Sequence, residues 1–281
     1  TRDRRQRQMC IRDSIYPEPP GTKISDVQDF STHLGGSAAN TCVALSKLGV
    51  SSDLVTCISD DAIGEYIFKK LEDFNIGSNL CRRVDKKFQT QVAVVETILK
   101  NNQSILYRNN SCDLQLDKED IDKINFQDYS AVFISGTALS SSPSREAVFY
   151  ASGKASTLSI PLIMDMDYRP YNCESDEIKS NIYKKIMKEM DIIIGNDLEF
   201  NIANNSTDGL QLAKDFIKEK PSIIIYKMGE KGSKVLTEEK DLSFGIFKVE
   251  AIKPTGAGDA FNGGFISSFL QGFSLEDSIK R

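Results

Sequence analysis

The chain has 281 residues, 40% hydrophobic and 27% charged, a globular balance that excludes a collagen-like repeat, a disordered tail and a disulfide-stapled miniprotein. Its net charge of −5 is uneven: five Arg and one Asp in residues 1–12 give +4, leaving −9 on residues 13–281, where 24 Lys stand against six Arg. No further basic block follows, which argues against nucleic acid as a partner, and no apolar run approaches the ~18 residues needed to span a bilayer.

The Arg-rich opening reads either as a basic arm or as a segment outside the folded domain. The abrupt switch from Arg to Lys favours the second, so residues 1–13 are expected to be non-native or disordered and the fold to begin near residue 14. Only Met9, Cys10 and Ile11 are apolar among the first 13 residues, so no secretory leader is visible there. The cysteines at 10, 42, 57, 81, 112 and 173 form no Cys-x-x-Cys pair, and the single His33 has no metal-binding companion. Scattered thiols of this kind suit a cytoplasmic enzyme with reduced, mostly buried cysteines.

In chain order, HLGGSAANTCVALSKLG (33–49) places Gly35 and Gly36 before a helix starting near Ser37, with Asn40 on its first turn. There an amide could bind a sugar hydroxyl, or the small residues could serve only close helix packing. Residues 53–59 read as a buried strand and 64–74 as a helix with Ile67, Leu71 and Phe74 on one face. Residues 88–108 predict an antiparallel hairpin turning at Asn101 and Asn102, either a lid over a site or an edge of the main sheet. Strands at 130–136, 161–167, 191–195 and 222–228 then alternate with helices at 144–156, 176–190 and 210–220. That alternation predicts an α/β fold with a mostly parallel sheet, helices on both faces, and ligands beyond the carboxyl ends of the strands. A second β-stretch, 232–237 and 241–250, precedes the last long helix.

Four motifs fall at such ends. In DMDYRP, Asp165, Asp167 and Arg169 alternate onto one side, as a ligand cluster or a structural ion pair. In GNDLE, Asn196 and Glu199 follow a strand, where a carboxylate could hold Mg²⁺ through water or merely begin a helix. In KMGEKG, Lys227, Gly229 and Gly232 could line a phosphate, or could form an ordinary hairpin. In KPTGAGDAF, the amides of Gly256, Ala257 and Gly258 would open a helix and stabilise an anion, with Asp259 placed to accept a proton. A capped helix after a glycine turn is the alternative. Phe261 occupies the third glycine position of a dinucleotide fingerprint, and no Walker A sequence occurs.

From about Phe30 onward, these motifs in this order resemble the ribokinase-like, or PfkB, family of carbohydrate kinases. The resemblance implies a ribokinase-like fold in a single domain over residues 14–281, with a small β-sheet lid that includes about 88–108. It implies ATP- and Mg²⁺-dependent phosphorylation of a primary hydroxyl, with Asp259 as base and Gly256, Ala257 and Gly258 as the anion hole. Asn196 and Glu199 would serve phosphate and, through water, Mg²⁺, while Lys227, Gly229 and Gly232 would line the nucleotide. Gly35, Gly36, Asn40, Arg108, Asp167 and Arg169 would meet the substrate, and a guanidinium suits a carboxylate because it can bind it with two hydrogen bonds. YRNNSCDLQL (107–116), MDMDYRP (164–170) and LEFNIA (198–203) look most like members acting on a keto-deoxy sugar acid of inositol catabolism. Other sugar kinases, nucleoside kinases and an inactive sugar or nucleotide binder are the alternatives. A homodimer formed through the lid is a further implication. Three departures stand out: the family's first strand is expected to be missing, the C-terminal stretch that completes the adenine pocket to be short, and Lys253 and Pro254 replace an Asp-Thr pair, leaving monovalent-cation dependence open.

Overall fold

The computed structural model describes residues 5–8, 12–98, 103–168, 175–249 and 255–281. Along the chain its strands are β1 (Arg5–Gln8), β2 (Arg12–Glu18), β3 (Asp29–Gly35), β4 (Ser52–Leu54), β5 (Thr56–Ser59), β6 (Cys81–Val84) and β7 (Val92–Val95). They continue as β8 (Ser104–Tyr107), β9 (Tyr129–Ser135), β10 (Leu162–Asp165), β11 (Ile192–Asn196), β12 (Ile223–Lys227), β13 (Ser233–Leu236) and β14 (Asp241–Phe244). The helices are α1 (Ser37–Lys47), α2 (Ala62–Asp73), α3 (Lys118–Asp122), α4 (Ser144–Thr157), α5 (Asp176–Met187), α6 (Asp197–Asn204), α7 (Gly209–Phe216), α8 (Ala257–Leu270) and α9 (Leu275–Lys280).

Among the described residues, eight strands form the main sheet in the order β14-β13-β12-β11-β10-β9-β1-β4. The ladders from β12 to β4 are parallel, and the hairpins through β13 and β14 are antiparallel. Side-chain alternation explains why the central strands are continuous apolar runs. Val132, Ile134, Leu162, Met164, Ile193 and Ile224 face one layer, where Ala147 and Val148 of α4, Ile186 of α5, Phe200 of α6 and Leu212 of α7 cover them. Ala131, Phe133, Ile163, Ile192, Ile194, Ile223 and Ile225 face the other, under Leu45 of α1, Phe265 and Ile266 of α8 and Ile279 of α9. Each buried Val, Leu, Ile, Phe or Met side chain among them contributes about 1.5–3 kcal/mol, so a polar residue inside these runs would be costly and polar residues collect at the strand ends.

Two expectations need correcting. Residues 5–8, expected to lie outside the folded domain, form β1 and pair in parallel with both β4 and β9, next to the edge of the main sheet; a strand stands where the first one was expected to be missing. The backbone ladder makes this strand, and arginine content does not prevent backbone pairing. Residues 53–59 are two strands rather than one: β4 closes the main sheet beside β1, while β5 leaves it to pair with β6.

The 88–108 hairpin is realised as β7 and β8. It is no edge of the main sheet. It belongs to a separate four-stranded sheet, β3-β2-β7-β8, whose one face packs Tyr16, Ala93, Val95 and Leu106 together. The turn residues Asn101 and Asn102 lie outside the described residues.

Candidate active site

The parallel register aligns three polar side chains at the carboxyl ends of neighbouring strands. Asp165 pairs with Ile194 at the end of β10, and Asn196 with Lys227 at the ends of β11 and β12. Facing them is the start of α8. Gly256 caps this helix at φ 87°, in the left-handed region that favours glycine. The following amides have no preceding turn to accept them, so the helix presents free donors and the positive end of its dipole.

Asp259 stands in that first turn. Its Oδ1 accepts from Ser37 Oγ at 2.9 Å and its Oδ2 from Asn40 Nδ2 at 2.7 Å. Burial pushes the carboxyl up to about 6, with the charge of Asp167 adding to the effect and the Asn40 and Ser37 hydrogen bonds opposing it. Both partners come from α1, which begins at Gly36 (φ 96°) directly after β3. The helices can meet because a Cβ on Gly263 of α8 would stand 2.4 Å from Ala44 Cβ. The small residues of α1 therefore do serve close packing, and the same packing sets Asn40 against the carboxylate.

Lys227 and Asp165 form a second centre. Lys227 Nζ lies 3.5 Å from Asp165 Oδ1, and Asn262 Nδ2 donates to Asp165 Oδ2 at 2.6 Å. Burial opposes the Lys227 charge, but Asp165, Glu199 and Asp167 outweigh it and hold the ammonium above its ordinary pKa. The Asp165 carboxyl is itself pushed up, chiefly by burial, against the pull of Lys227.

The spacing of Asn196 and Glu199 is used locally as a reciprocal cap of α6. Glu199 N donates to Asn196 Oδ1 at 3.0 Å, and Asn196 N donates to Glu199 Oε2 at 2.8 Å. Burial and then Asp165 push the Glu199 carboxyl up to about 8, partly offset by Lys227 and the Asn196 amide. Gly229 and Gly232 lie in the turn of the β12–β13 hairpin. A Cβ on Gly229 would meet nothing within 4 Å, whereas one on Gly232 would run into Phe244 O at 1.9 Å. Gly229 is thus open to a ligand, and Gly232 is needed for backbone packing.

Asp167 is buried at φ 33° and accepts from Ser135 Oγ at 2.8 Å. Arg108 is buried against Asp113, 3.0 Å away, and also donates to Ser140 Oγ and Thr137 O in the turn that follows Ser135. Arg108 and Asp167 therefore share that turn, while Gly35 and Gly36 stand at the start of α1. Arg169, Lys253 and Pro254 lie outside the described residues. Sequence reasoning missed Ser37 and Asn262, and saw Asp165 only as one of a pair of acids. The available signal was Asn262 itself, a polar residue within the otherwise apolar run 260–266, one turn after Asp259.

Comparison with known proteins agrees in kind with this geometry. The family model described as pfkB family carbohydrate kinase matches residues 9–281. The 5-dehydro-2-deoxygluconokinase of Photobacterium profundum is 36% identical over 273 residues, covering 95% of this chain and 82% of that protein. In fold, the chain is similar to the 2-dehydro-3-deoxygluconokinase of Thermotoga maritima, with TM-score 0.88, 18% identity, and coverage of 99% of this chain and 90% of that one. A fructokinase with bound ATP from Xylella fastidiosa gives TM-score 0.85 at 18% identity, covering 100% of this chain and 85% of that one.

Proposed function

The chain belongs to the pfkB family of carbohydrate kinases, and from that premise we propose that it transfers the terminal phosphoryl group of ATP to a primary hydroxyl of 5-dehydro-2-deoxy-D-gluconate. The observation that carries this reading is Asp259: a carboxylate at the amide end of α8, clasped by Ser37 and Asn40, with its pKa raised to about 6. Such a group is ionised at neutral pH yet basic enough to take a proton in the transition state. As the hydroxyl oxygen attacks the terminal phosphorus, its proton passes to Asp259, and the bond from that phosphorus to the bridging oxygen breaks, releasing ADP. The amides of Gly256, Ala257 and Gly258 receive negative charge on the phosphoryl oxygens, and Lys227 adds positive charge beside them. Positioning and electrostatics of this kind supply most of what phosphoryl transfer needs.

The residues present fit a nucleotide. Gly229 and Gly256 leave open space where a Cβ would stand, so backbone can approach phosphate, and Asn196 and Lys227 lie beside them across the β11–β12 ladder. Magnesium bound to the phosphates would neutralise their charge, with Glu199 reaching it through water. Gly35, Gly36 and Asn40 would orient the sugar, and Arg108, Asp167 and Arg169 its acidic end and hydroxyls. The relative from Photobacterium profundum is named for the same keto-deoxy sugar acid, and the arginines suit a carboxylate.

Two broader features complete the reading. The lid exposes one apolar face: Ile15, Val92 and Val94 are half-buried, and Phe30, Ile105 and Tyr107 are 45%, 39% and 61% exposed. Cross-strand register places all six on the same side, which supports a homodimer with a second copy covering that face. The described cysteines Cys42, Cys57, Cys81 and Cys112 are unbridged thiols, in keeping with a cytoplasmic setting; among the described residues, no helix is long and apolar enough to cross a membrane.

The test is ADP release with ATP and Mg²⁺ across 5-dehydro-2-deoxygluconate, 2-dehydro-3-deoxygluconate, fructose, ribose and adenosine. The sugar acids should exceed adenosine in kcat/KM by at least ~100-fold, the order of discrimination a polar site reaches between ligands of different hydrogen-bonding character. Preferential turnover of adenosine would overturn the substrate class, and binding without ADP formation would overturn the activity.

A further inference from the structure

Asp165 is a buried carboxylate to which the transfer step gives no task. It is 4% exposed and touches three elements: its own β10, the end of β12 through Lys227, and α8 through Asn262, which is fully buried. Lys227 Nζ in turn lies 3.6 Å from the point where a Cβ on Gly258 would stand. The ammonium is therefore next to the opening turn of α8, one helical turn before the Asn262 that shares its carboxylate.

From this geometry we propose that Asp165 and Asn262 are positioning residues. They hold the Lys227 ammonium in register with the amides of Gly256, Ala257 and Gly258, so that the phosphoryl group in transfer meets both at once. A lysine carries its charge on a flexible four-carbon stem and ordinarily loses much freedom on being fixed. Here one carboxylate oxygen fixes the ammonium while the other, through Asn262, fixes the helix it must match. Stability alone explains the arrangement poorly, since apolar residues of similar volume are often as stabilising as a buried ion pair. The Lys227 ammonium stays charged through the neutral range because Asp165, Glu199 and Asp167 outweigh the effect of burial.

This deepens the kinase reading and rests on it. The test is a kinetic cycle on the full chain with Asp165→Asn, Lys227→Met and the double variant, supplied with ATP, Mg²⁺ and the best sugar acid. Lys227→Met should lower kcat by ~100-fold or more and Asp165→Asn by ~10–50-fold with KM for ATP changed less than ~3-fold, the pattern of an interaction made in the transition state. In the Lys227→Met background, Asp165→Asn should cost less than ~3-fold more, because residues acting through one another are not additive. Fully multiplicative losses, or a wild-type kcat in Asp165→Asn, would overturn the positioning role while leaving the kinase reading intact. If the wild-type chain released no sugar-dependent ADP, both would fall. Should Asp165→Asn fail to fold by circular dichroism, Asn262→Ala runs the same cycle, with an expected kcat loss of ~5–20-fold that again vanishes without Lys227.

Discussion

The carboxyl ends of β10, β11 and β12 and the outer face of the lid both depart from the rule of apolar inside and polar outside, and they do so in opposite directions. At the strand ends and the helix starts beside them Asp165, Asp167 and Glu199 are buried and Lys227 and Asp259 half-buried; on the lid, Phe30, Ile105 and Tyr107 stand in solvent. A few residues earlier β11 and β12 are uniformly isoleucine, so the switch from Ile194 to Asn196 and from Ile225 to Lys227 marks the boundary between what holds the sheet and what it holds up. Buried charge is costly when isolated, and here the carboxyls answer by rising in pKa, Asp259 to about 6 and Glu199 to about 8. The lid's cost is exposed apolar area, which a second copy would cover. The first region gives up stability to hold charge, and the second leaves apolar area in solvent.

The contrast can be broken experimentally, beginning where the effect is largest. Asp259→Asn should lower kcat by ~10³-fold or more, since it removes the base and places an amide beside the anion hole, while ATP binding measured by calorimetry stays within ~3-fold. Wild-type turnover in that variant would remove Asp259 from the reaction. On the lid, Ile105→Asp should weaken dimer formation by ~30-fold or more with kcat per protomer changed little, because a buried unpaired charge costs several kcal/mol. Sedimentation at a series of concentrations reads this, and an unchanged monomer–dimer balance would mean that another surface or none is used. More modest is the pH dependence. Asp259 must be ionised to act, so kcat/KM should fall about tenfold per pH unit as pH drops below about 6. A profile flat from pH 7 to pH 5 would place the base elsewhere.

How much was legible in the sequence follows from the same contrast. The runs Ile192–Ile194 and Ile223–Ile225 were readable because a parallel strand covered on both faces leaves no choice but apolar residues. The lid hairpin was readable because its alternation of buried Ala93 and Val95 with half-buried Val92 and Val94 has the period of a one-sided sheet. β1 was not, since it is defined by backbone pairing with β4 and β9, and its sequence RQRQ carries no apolar pattern to announce a strand. At the site, glycine and carboxylate spacing located Asp259, Lys227 and Glu199, but nothing local showed that Ser37 and Asn40, more than 200 positions earlier in the chain, donate to Asp259. That contact depends on how closely α1 and α8 cross, and its traces in the sequence are Gly263 and the small residues of α1. Gly232 illustrates the converse: its motif pointed to nucleotide, while its φ of 86° and the nearness of Phe244 O show that the hairpin itself requires it.

Charge gathered around the strand ends and the facing start of α8 should lower stability there, and Asp259 is where that cost can be read most directly. Its carboxyl binds a proton more tightly folded than unfolded, with a folded value of about 6 against about 3.9 in an open chain. Its contribution to stability is therefore fully present below about pH 4 and lost as pH rises through about 6. The measurement is the thermal midpoint of Asp259→Asn against wild type at pH 8 and at pH 4. At pH 8 the variant should melt about 2 °C or more above wild type, since ~1 kcal/mol moves a chain of this size by roughly 2–4 °C, and the difference should close at pH 4. A variant that melts at or below wild type at pH 8 would contradict the account.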